Sequence, residues 1–126
     1  MSEDRWFEDY VPGSTHEFGS VVVEEKEIID FGQRFDPQAF HVDREVAAES
    51  IFEGLIASGW HTASMTMRLL VEHYLSDSSS LGSPGINEIR WLLPVRPGDE
   101  LTVKVLVLDA RRTCSRPDRG IIRSRI

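Results

Sequence analysis

An aspartate and a histidine stand five residues apart in a segment rich in turn-forming residues, Phe35-Asp36-Pro37-Gln38-Ala39-Phe40-His41. Because Pro37 disfavours a helical conformation at Asp36, the segment predicts a connection between two short helices, on which both side chains can turn toward one point. A carboxylate and an imidazole placed there can hold one water between them and divide proton removal and proton supply. We predict that Asp36 and His41 are this acid–base pair and that the flanking Phe35 and Phe40 desolvate it.

The start of a long apolar helix supplies a third catalytic group, a backbone amide that can bind an oxyanion. The first amides of a helix point outward unpaired and carry partial positive charge, so the Gly59 amide can stabilise negative charge that develops on a carbonyl oxygen. Glycine also permits close approach of a ligand, and Ser58 is the expected N-cap. An acid, a base and an oxyanion site are the parts needed to add water across a polarised double bond.

Each of these residues also has a purely structural explanation. Asp36 is suited to a turn in which its carboxylate bonds nearby backbone amides, and His41 to a half-buried, hydrogen-bonded position. Ser58 and Gly59 suit a small helix start even without a ligand. The chemical hypothesis therefore depends on all of them acting together.

The remaining histidines fit structural positions. We predict that His61 and Thr62, one turn into the long helix, pack in the interior, and that His16 and His73 lie at a surface or edge. The histidines lack close metal-ligand spacing and the single cysteine, Cys114, is far from them, so we predict no metal site.

Composition indicates one globular domain over residues 1–126, with residues 1–15 as an irregular lead-in. No apolar run is long enough for a membrane span, and the acidic N-terminus is unlike a signal peptide. A single cysteine excludes an internal disulfide and favours a cytoplasmic location.

The net charge of -7 is unevenly distributed. Residues 1–109 carry 8 basic and 20 acidic side chains, a net of -12, whereas residues 110–126 carry six arginines and one aspartate, a net of +5. The acidic body disfavours nucleic-acid binding. The basic end suits either a phosphorylated ligand or a solvated edge strand.

Hydrophobic periodicity predicts an α+β fold in which an antiparallel sheet wraps a long central helix. Apolar residues on nearly every face of that helix require it to be enclosed. The chain stops within a predicted strand, so we expect either a truncated chain or a partner that completes the sheet. The predicted strands are 16–23, 86–95, 100–109 and 120–126, and the predicted helices are 24–34, 44–49 and 59–75.

Three stretches give the chain a resemblance to the MaoC-like dehydratases, which include the (R)-specific enoyl-CoA hydratases and share the hotdog fold. They are the segment 35–43 with its acid and base, the segment 52–59 leading into the helix, and the segment 90–99, Arg-Trp-Leu-Leu-Pro-Val-Arg-Pro-Gly-Asp. The family motif usually reads Asp-x-Asn-Pro-Leu/Ile-His. Here Gln38 and Ala39 replace the asparagine and the proline, Pro37 directly follows the aspartate, and the family's C-terminal strand is missing.

The resemblance implies reversible hydration of a trans-2-enoyl thioester. It assigns Asp36 and His41 to catalysis and the Gly59 amide, beside Ser58, to the thioester oxygen. It implies a substrate carried by coenzyme A or acyl carrier protein, no separate cofactor, and a homodimer or larger homo-oligomer. Phosphates would need cations, and guanidinium groups pair well with phosphate, so Arg90, Arg96 and the arginines of the C-terminal region, Arg116 among them, are candidates.

Two other functions remain open at this stage. A hotdog thioesterase is disfavoured, because many of these enzymes use an acid on the central helix and residues 59–71 contain neither Asp nor Glu. A non-catalytic module that binds acyl thioesters or a protein partner is the stronger alternative, given the altered motif at Gln38 and Ala39.

Overall fold

The computed structural model describes residues 4–126, which form an α+β fold with an antiparallel sheet and a central helix, as predicted. Contacts divide them into two compact units. The first contains the residues up to Gly19 together with 68–84 and 102–126, and the second contains 20–67 and 85–101. None of the described helices has the length and apolar character needed to cross a membrane.

Within residues 4–126, the regular structure comprises one 3-10 helix, three strands and four α-helices. A short 3-10 helix, Phe7–Asp9, precedes the first strand. The strands are β1 (Thr15–Val22), β2 (Glu100–Arg112) and β3 (Gly120–Arg125). The helices are α1 (Glu25–Phe35), α2 (Ala39–Val42), α3 (Arg44–Ala48) and α4 (Gly59–His73).

The alternation of β2 fixes which face of the sheet is buried. Val103, Val105 and Val107 are buried, and the residues between them are exposed or half-buried. The strand order is β1-β2-β3, and β2 pairs antiparallel with β3, with Val107 opposite Ser124. A register shift between Val107 and Asp109 marks a bulge, which increases the local twist.

Two tyrosines organise the interior of the first unit. The Tyr10 hydroxyl donates to the carbonyl oxygen of Tyr74 at 2.8 Å, and the Tyr74 hydroxyl lies 2.9 Å from Ser124 Oγ. Buried tyrosines need such partners for their polar end. His16 is half-buried with its ring 5.4 Å from that of Tyr74, and His73 is exposed, so both occupy the edge and surface positions that the sequence predicts.

The second unit has its own apolar cluster. Val23, Ile28, Ala57 and Met65 are buried together, with Val21, Val95 and Leu101 packed against them. Residues 96–99 form the predicted turn, in which the Asp99 carboxylate accepts the Arg96 amide at 2.8 Å. Gly98 has φ +86°, a conformation that glycine adopts without strain.

The predicted strand over residues 86–95 is wrong. Within the described chain this segment forms no strand, and apolar side chains such as Leu92 and Leu93 are 84% and 81% exposed. Its residue types fit a strand, but a strand also needs a neighbour to accept its hydrogen bonds, which composition does not reveal. The structure also adds α2, a single helical turn, where a loop was predicted.

Replacing Ile28 by alanine tests the core of the second unit. Ile28 is fully buried, so Ile28→Ala is expected to lower the free energy of unfolding by about 2–5 kcal/mol, because it leaves a cavity. Urea denaturation measures this change. Ile51, which is 91% exposed, provides the control: Ile51→Ala should change stability by less than about 0.5 kcal/mol. Equal effects of the two substitutions would contradict this description of the core.

His61 is packed in the interior, as predicted. Its ring stacks on that of Phe31 at a centroid distance of 4.9 Å, and its Nδ1 is buried without a hydrogen-bond partner. Burial lowers the pKa of His61, against a smaller opposing effect of Glu27. The folded protein therefore favours the neutral ring.

His61 should make folding sensitive to mild acid. Because the pKa of this histidine is lower in the folded state, the unfolded chain binds more protons once pH falls below the ordinary histidine pKa of about 6.5. The free energy of unfolding should therefore decrease between about pH 7.5 and 5, and His61→Phe should reduce that decrease. Urea titrations at both pH values measure it. Val71→Phe, at an exposed position of the same helix without a titrating side chain, should leave the pH dependence unchanged.

Candidate active site

The candidate site lies entirely within the second unit and begins where α1 ends. Asp36 follows the last residue of α1, and its amide still donates to the Gly32 carbonyl at 2.9 Å. Two side chains hold its carboxylate: Gln38 Nε2 donates to Oδ1 at 2.8 Å, and Ser58 Oγ donates to Oδ2 at 2.7 Å. The carboxylate is therefore fixed by donors from both sides.

His41 is positioned by its contacts with α1 and with the loop before α4. A Cβ on Gly32 would lie 2.8 Å from Val42 Cγ1 and 3.1 Å from His41 Cβ, so the glycine allows α2 to approach α1 closely. His41 Nδ1 lies 2.7 Å from the carbonyl oxygen of Ile56. Since a carbonyl oxygen only accepts, Nδ1 carries the proton, and Nε2 faces the carboxylate.

The structure brings the predicted acid and base into direct contact. His41 Nε2 lies 3.3 Å from Asp36 Oδ2, and the two side chains are 5% and 18% exposed. At 3.3 Å the two atoms are already close to hydrogen-bonding distance, so no water fits on the line between them. A water held by both groups would therefore bind beside the pair, within reach of each, and this part of the hypothesis stays a prediction.

Hydrogen bonds keep the carboxylate ionised. The bond from Gln38 lowers the pKa of Asp36 most, the Ser58 and His41 contacts lower it further, and burial opposes them. A carboxylate that accepts several hydrogen bonds is stabilised in its charged form. Asp36 is therefore ionised near neutral pH and available to accept a proton.

Ser58 connects the carboxylate to the start of α4. It is almost fully buried, and its Oγ accepts the Trp60 amide at 3.3 Å while donating to Asp36. Its carbonyl oxygen accepts the amides of His61 and Thr62. Ser58 thus caps α4 and also donates a hydrogen bond to Asp36, while its predicted place beside the substrate carbonyl stays a prediction.

Gly59 begins α4, and the Trp91 ring covers it. A Cβ on Gly59 would lie 2.4 Å from Trp91 Cε2, so only glycine fits beneath this indole. Trp60 meets the same ring edge to face at 5.6 Å. The small residue at this position thus has a packing reason in addition to its predicted role.

The two flanking phenylalanines behave differently. Phe40 packs edge to face on His41 at 4.6 Å and on Phe52 at 5.2 Å, so it shields the imidazole as predicted. Phe35 is largely exposed and contacts Phe31 and Arg34 instead. The prediction that Phe35 desolvates the pair is wrong, because the last turn of α1 directs it to solvent.

The three candidate arginines occupy unlike environments. Arg96 is committed to the protein, since its Nη2 donates to the Phe52 carbonyl at 2.7 Å. Arg90 is exposed and pairs with Glu88. Arg116 belongs to the other unit, in the connection between β2 and β3, where its side chain is exposed. Arg90 and Arg116 thus remain open to solvent, and Arg96 has a structural partner.

Sequence reasoning missed three contributors to this geometry. Gly32 allows α2 to pack closely against α1, and the Ile56 carbonyl places the His41 proton on Nδ1. The third contributor is Trp91, whose ring covers Gly59. A glycine inside an amphipathic helix was the one available signal, since such a residue often marks close packing. The other two contacts join residues distant in sequence.

Among residues 4–126, no group of three or more potential ligands is arranged to hold a metal ion.

Comparison with known proteins identifies the family. The family model described as "MaoC like domain" matches residues 9–122. The YdeM protein of Bacillus subtilis (strain 168) is 33% identical over 102 residues, covering 81% of this chain and 72% of that protein.

Solved structures support the same family. A MaoC-like dehydratase from Rhodospirillum rubrum is 45% identical with a TM-score of 0.80, covering 93% of this chain and 80% of its own. The (R)-hydratase of A. caviae involved in PHA biosynthesis is 28% identical with a TM-score of 0.64, covering 80% of this chain and 74% of its own. The protein therefore has the hotdog fold and belongs to the MaoC-like family of hydratases and dehydratases.

Proposed function

We propose that this protein catalyses the reversible addition of water to a trans-2-enoyl thioester, with Asp36 and His41 as the acid–base pair. The observation that carries the proposal is the 3.3 Å contact between His41 Nε2 and Asp36 Oδ2. An ionised carboxylate and an imidazole with a fixed Nδ1 proton are the two groups such a reaction requires. The (R)-hydratase among the structural relatives supports the same reaction class.

The donor pattern suggests how the proton moves. Because Nδ1 donates to Ile56, a proton on Nε2 makes His41 a cation that faces the Asp36 carboxylate. In our proposal Asp36 accepts a proton from water as its oxygen bonds to the β-carbon of the enoyl group. His41 gives its Nε2 proton to the α-carbon. The pair then returns to its starting state when the proton on Asp36 passes to Nε2.

The carbonyl oxygen needs a separate partner in this scheme. Negative charge develops there when the double bond electrons shift toward the thioester, and the amide of Gly59 at the positive end of α4 suits it. We assign Gly59 and the adjacent Ser58 to this side of the substrate. The exposed Arg90 and Arg116 are the candidates for the phosphates of coenzyme A or of an acyl carrier protein, and no further cofactor is needed. Arg96 is a weaker candidate because it is already bonded to Phe52.

Asp36→Asn tests the reaction and the assigned role together. The amide keeps the shape of the side chain and removes its capacity to accept a proton, so turnover should fall by about 10²–10⁴-fold. The measurement is loss of the conjugated thioester absorbance of crotonyl-CoA. Asp30→Asn is the matched control, because Asp30 is exposed on α1, away from His41, and pairs with Lys26 in the same helix. Unchanged turnover in Asp36→Asn would refute the proposal.

We also propose that a second copy of the chain covers residues 86–95. Leu92 and Leu93 are largely exposed in a segment without strand pairing among the described residues, and apolar side chains grouped in this way commonly mark an interface. A homodimer formed there would also give the segment a hydrogen-bonding neighbour.

Light scattering measures the oligomeric state directly. The unmodified protein should have the mass of a dimer or larger assembly, and Leu92→Lys/Leu93→Lys should lower it toward that of one chain, because buried unpaired charges disfavour association. Ile51→Lys, at another exposed apolar position, should leave the mass unchanged. A monomeric unmodified protein would contradict the proposed dimer.

A further inference from the structure

The side chain that departs from the family motif makes a direct contact with the proposed acid. Gln38 Nε2 donates to Asp36 Oδ1 at 2.8 Å, whereas the other carboxylate oxygen is occupied by Ser58 and faces His41. Among residues 4–126, Gln38 is the side chain that donates to Oδ1. The amide of Gln38 is thus the group that fixes this half of the carboxylate.

The main chain of the same residue holds the base. The Gln38 carbonyl oxygen accepts the His41 amide at 2.9 Å and so closes the first turn of α2. Gln38 has φ -70° and ψ 142°, and the preceding Pro37 has little conformational freedom. Gln38, in an extended conformation, therefore bonds both members of the pair.

A positioning role follows from the place of Asp36 in the chain. Asp36 lies beyond the last residue of α1, with φ -152° and ψ 73°, so the helix no longer determines where its side chain points. Its direction depends on the donors around it. Ser58 is almost fully buried and also accepts the Trp60 amide, but its hydroxyl donates to Oδ2 and not to Oδ1. Without a donor on Oδ1, the carboxylate would be held through Oδ2 alone, and its second oxygen could change position.

We propose that Gln38 is a positioning residue, whose side-chain amide orients the Asp36 carboxylate toward His41 and stabilises its charged form. The effect of Gln38 on turnover rests on the proposed function. The effect of Gln38 on the ionisation of Asp36 depends only on the hydrogen bond between the two side chains. The two can therefore be measured separately.

Gln38→Met tests this role, because methionine has a similar length and lacks the donor. Loss of the bond should raise the pKa of Asp36, measured by carbon-13 NMR titration of its carboxyl carbon. Asp36 would then become protonated at higher pH, so the acid limb of the pH profile for crotonyl-CoA hydration should shift upward. We expect kcat to fall about three- to tenfold at neutral pH, with KM little changed, as for loss of one hydrogen bond to a charged group.

Two further variants separate positioning from folding. Gln33→Met makes the same replacement at an exposed residue of α1 and should alter neither the Asp36 titration nor kcat. Gln38→Glu retains the length but places an acceptor beside the carboxylate, so it should raise the pKa of Asp36 further than methionine does. Both variants lie at exposed positions, and circular dichroism should show unchanged folding.

The outcomes distinguish this inference from the proposed function. An Asp36 titration that is identical in the unmodified protein and in Gln38→Met overturns the positioning role, even if the protein hydrates crotonyl-CoA. A shifted titration in a protein that turns over no enoyl thioester supports the role of Gln38 and refutes the proposed reaction. A shifted titration together with a shifted acid limb supports both.

Discussion

The hydroxyl group of Ser58 joins the two halves of the candidate site. It donates to the Asp36 carboxylate at the end of α1 and accepts an amide from the first turn of α4. A hydroxyl can do both at once, because it has one donor and two lone pairs. The bond is partly buried, so losing either partner would leave a poorly solvated polar group and should cost more than losing a fully exposed bond. The distance between the acid and the helix start is thereby fixed.

Close packing provides the second constraint. Gly32 and Gly59 lie under larger neighbours, Val42 with His41 in one case and Trp91 in the other. At both positions a side chain would displace a group that belongs to the site. The imidazole of His41 is oriented by its hydrogen bond to the backbone carbonyl of Ile56. Because every residue has a backbone carbonyl, the sequence gives no sign of this contact. The site therefore depends on backbone positions as much as on its acid and base.

The sequence predicts most of the architecture because its periodic segments are long. β2 alternates strictly, α4 follows a small cap, and Pro37 ends α1, so their bounds differ from the predicted ones by at most a few residues. Residues 86–95 show the limit of such reasoning. Their composition suits a strand, but a strand exists only where another backbone pairs with it, and that requires knowledge of distant neighbours.

The site was predictable in its identities and less so in its geometry. Residue types and their spacing indicate Asp36 and His41, and the structure places them in contact. The direct contact and the outward turn of Phe35 depend on side-chain torsions at a helix end, where no repeat constrains them. The hydrogen bond from Gln38 occurs at the position where the chain departs from its family motif, so the motif gave no indication of it.

The fit between Gly59 and Trp91 has a consequence for how this sequence can change over generations. No side chain is accommodated at position 59 while an indole lies 2.4 Å from where its Cβ would be. Substitutions at the two positions are therefore epistatic, and position 91 must become smaller before position 59 can become larger. Among homologous chains, residues at these positions should covary, and a bulky aromatic residue at one should coincide with glycine at the other.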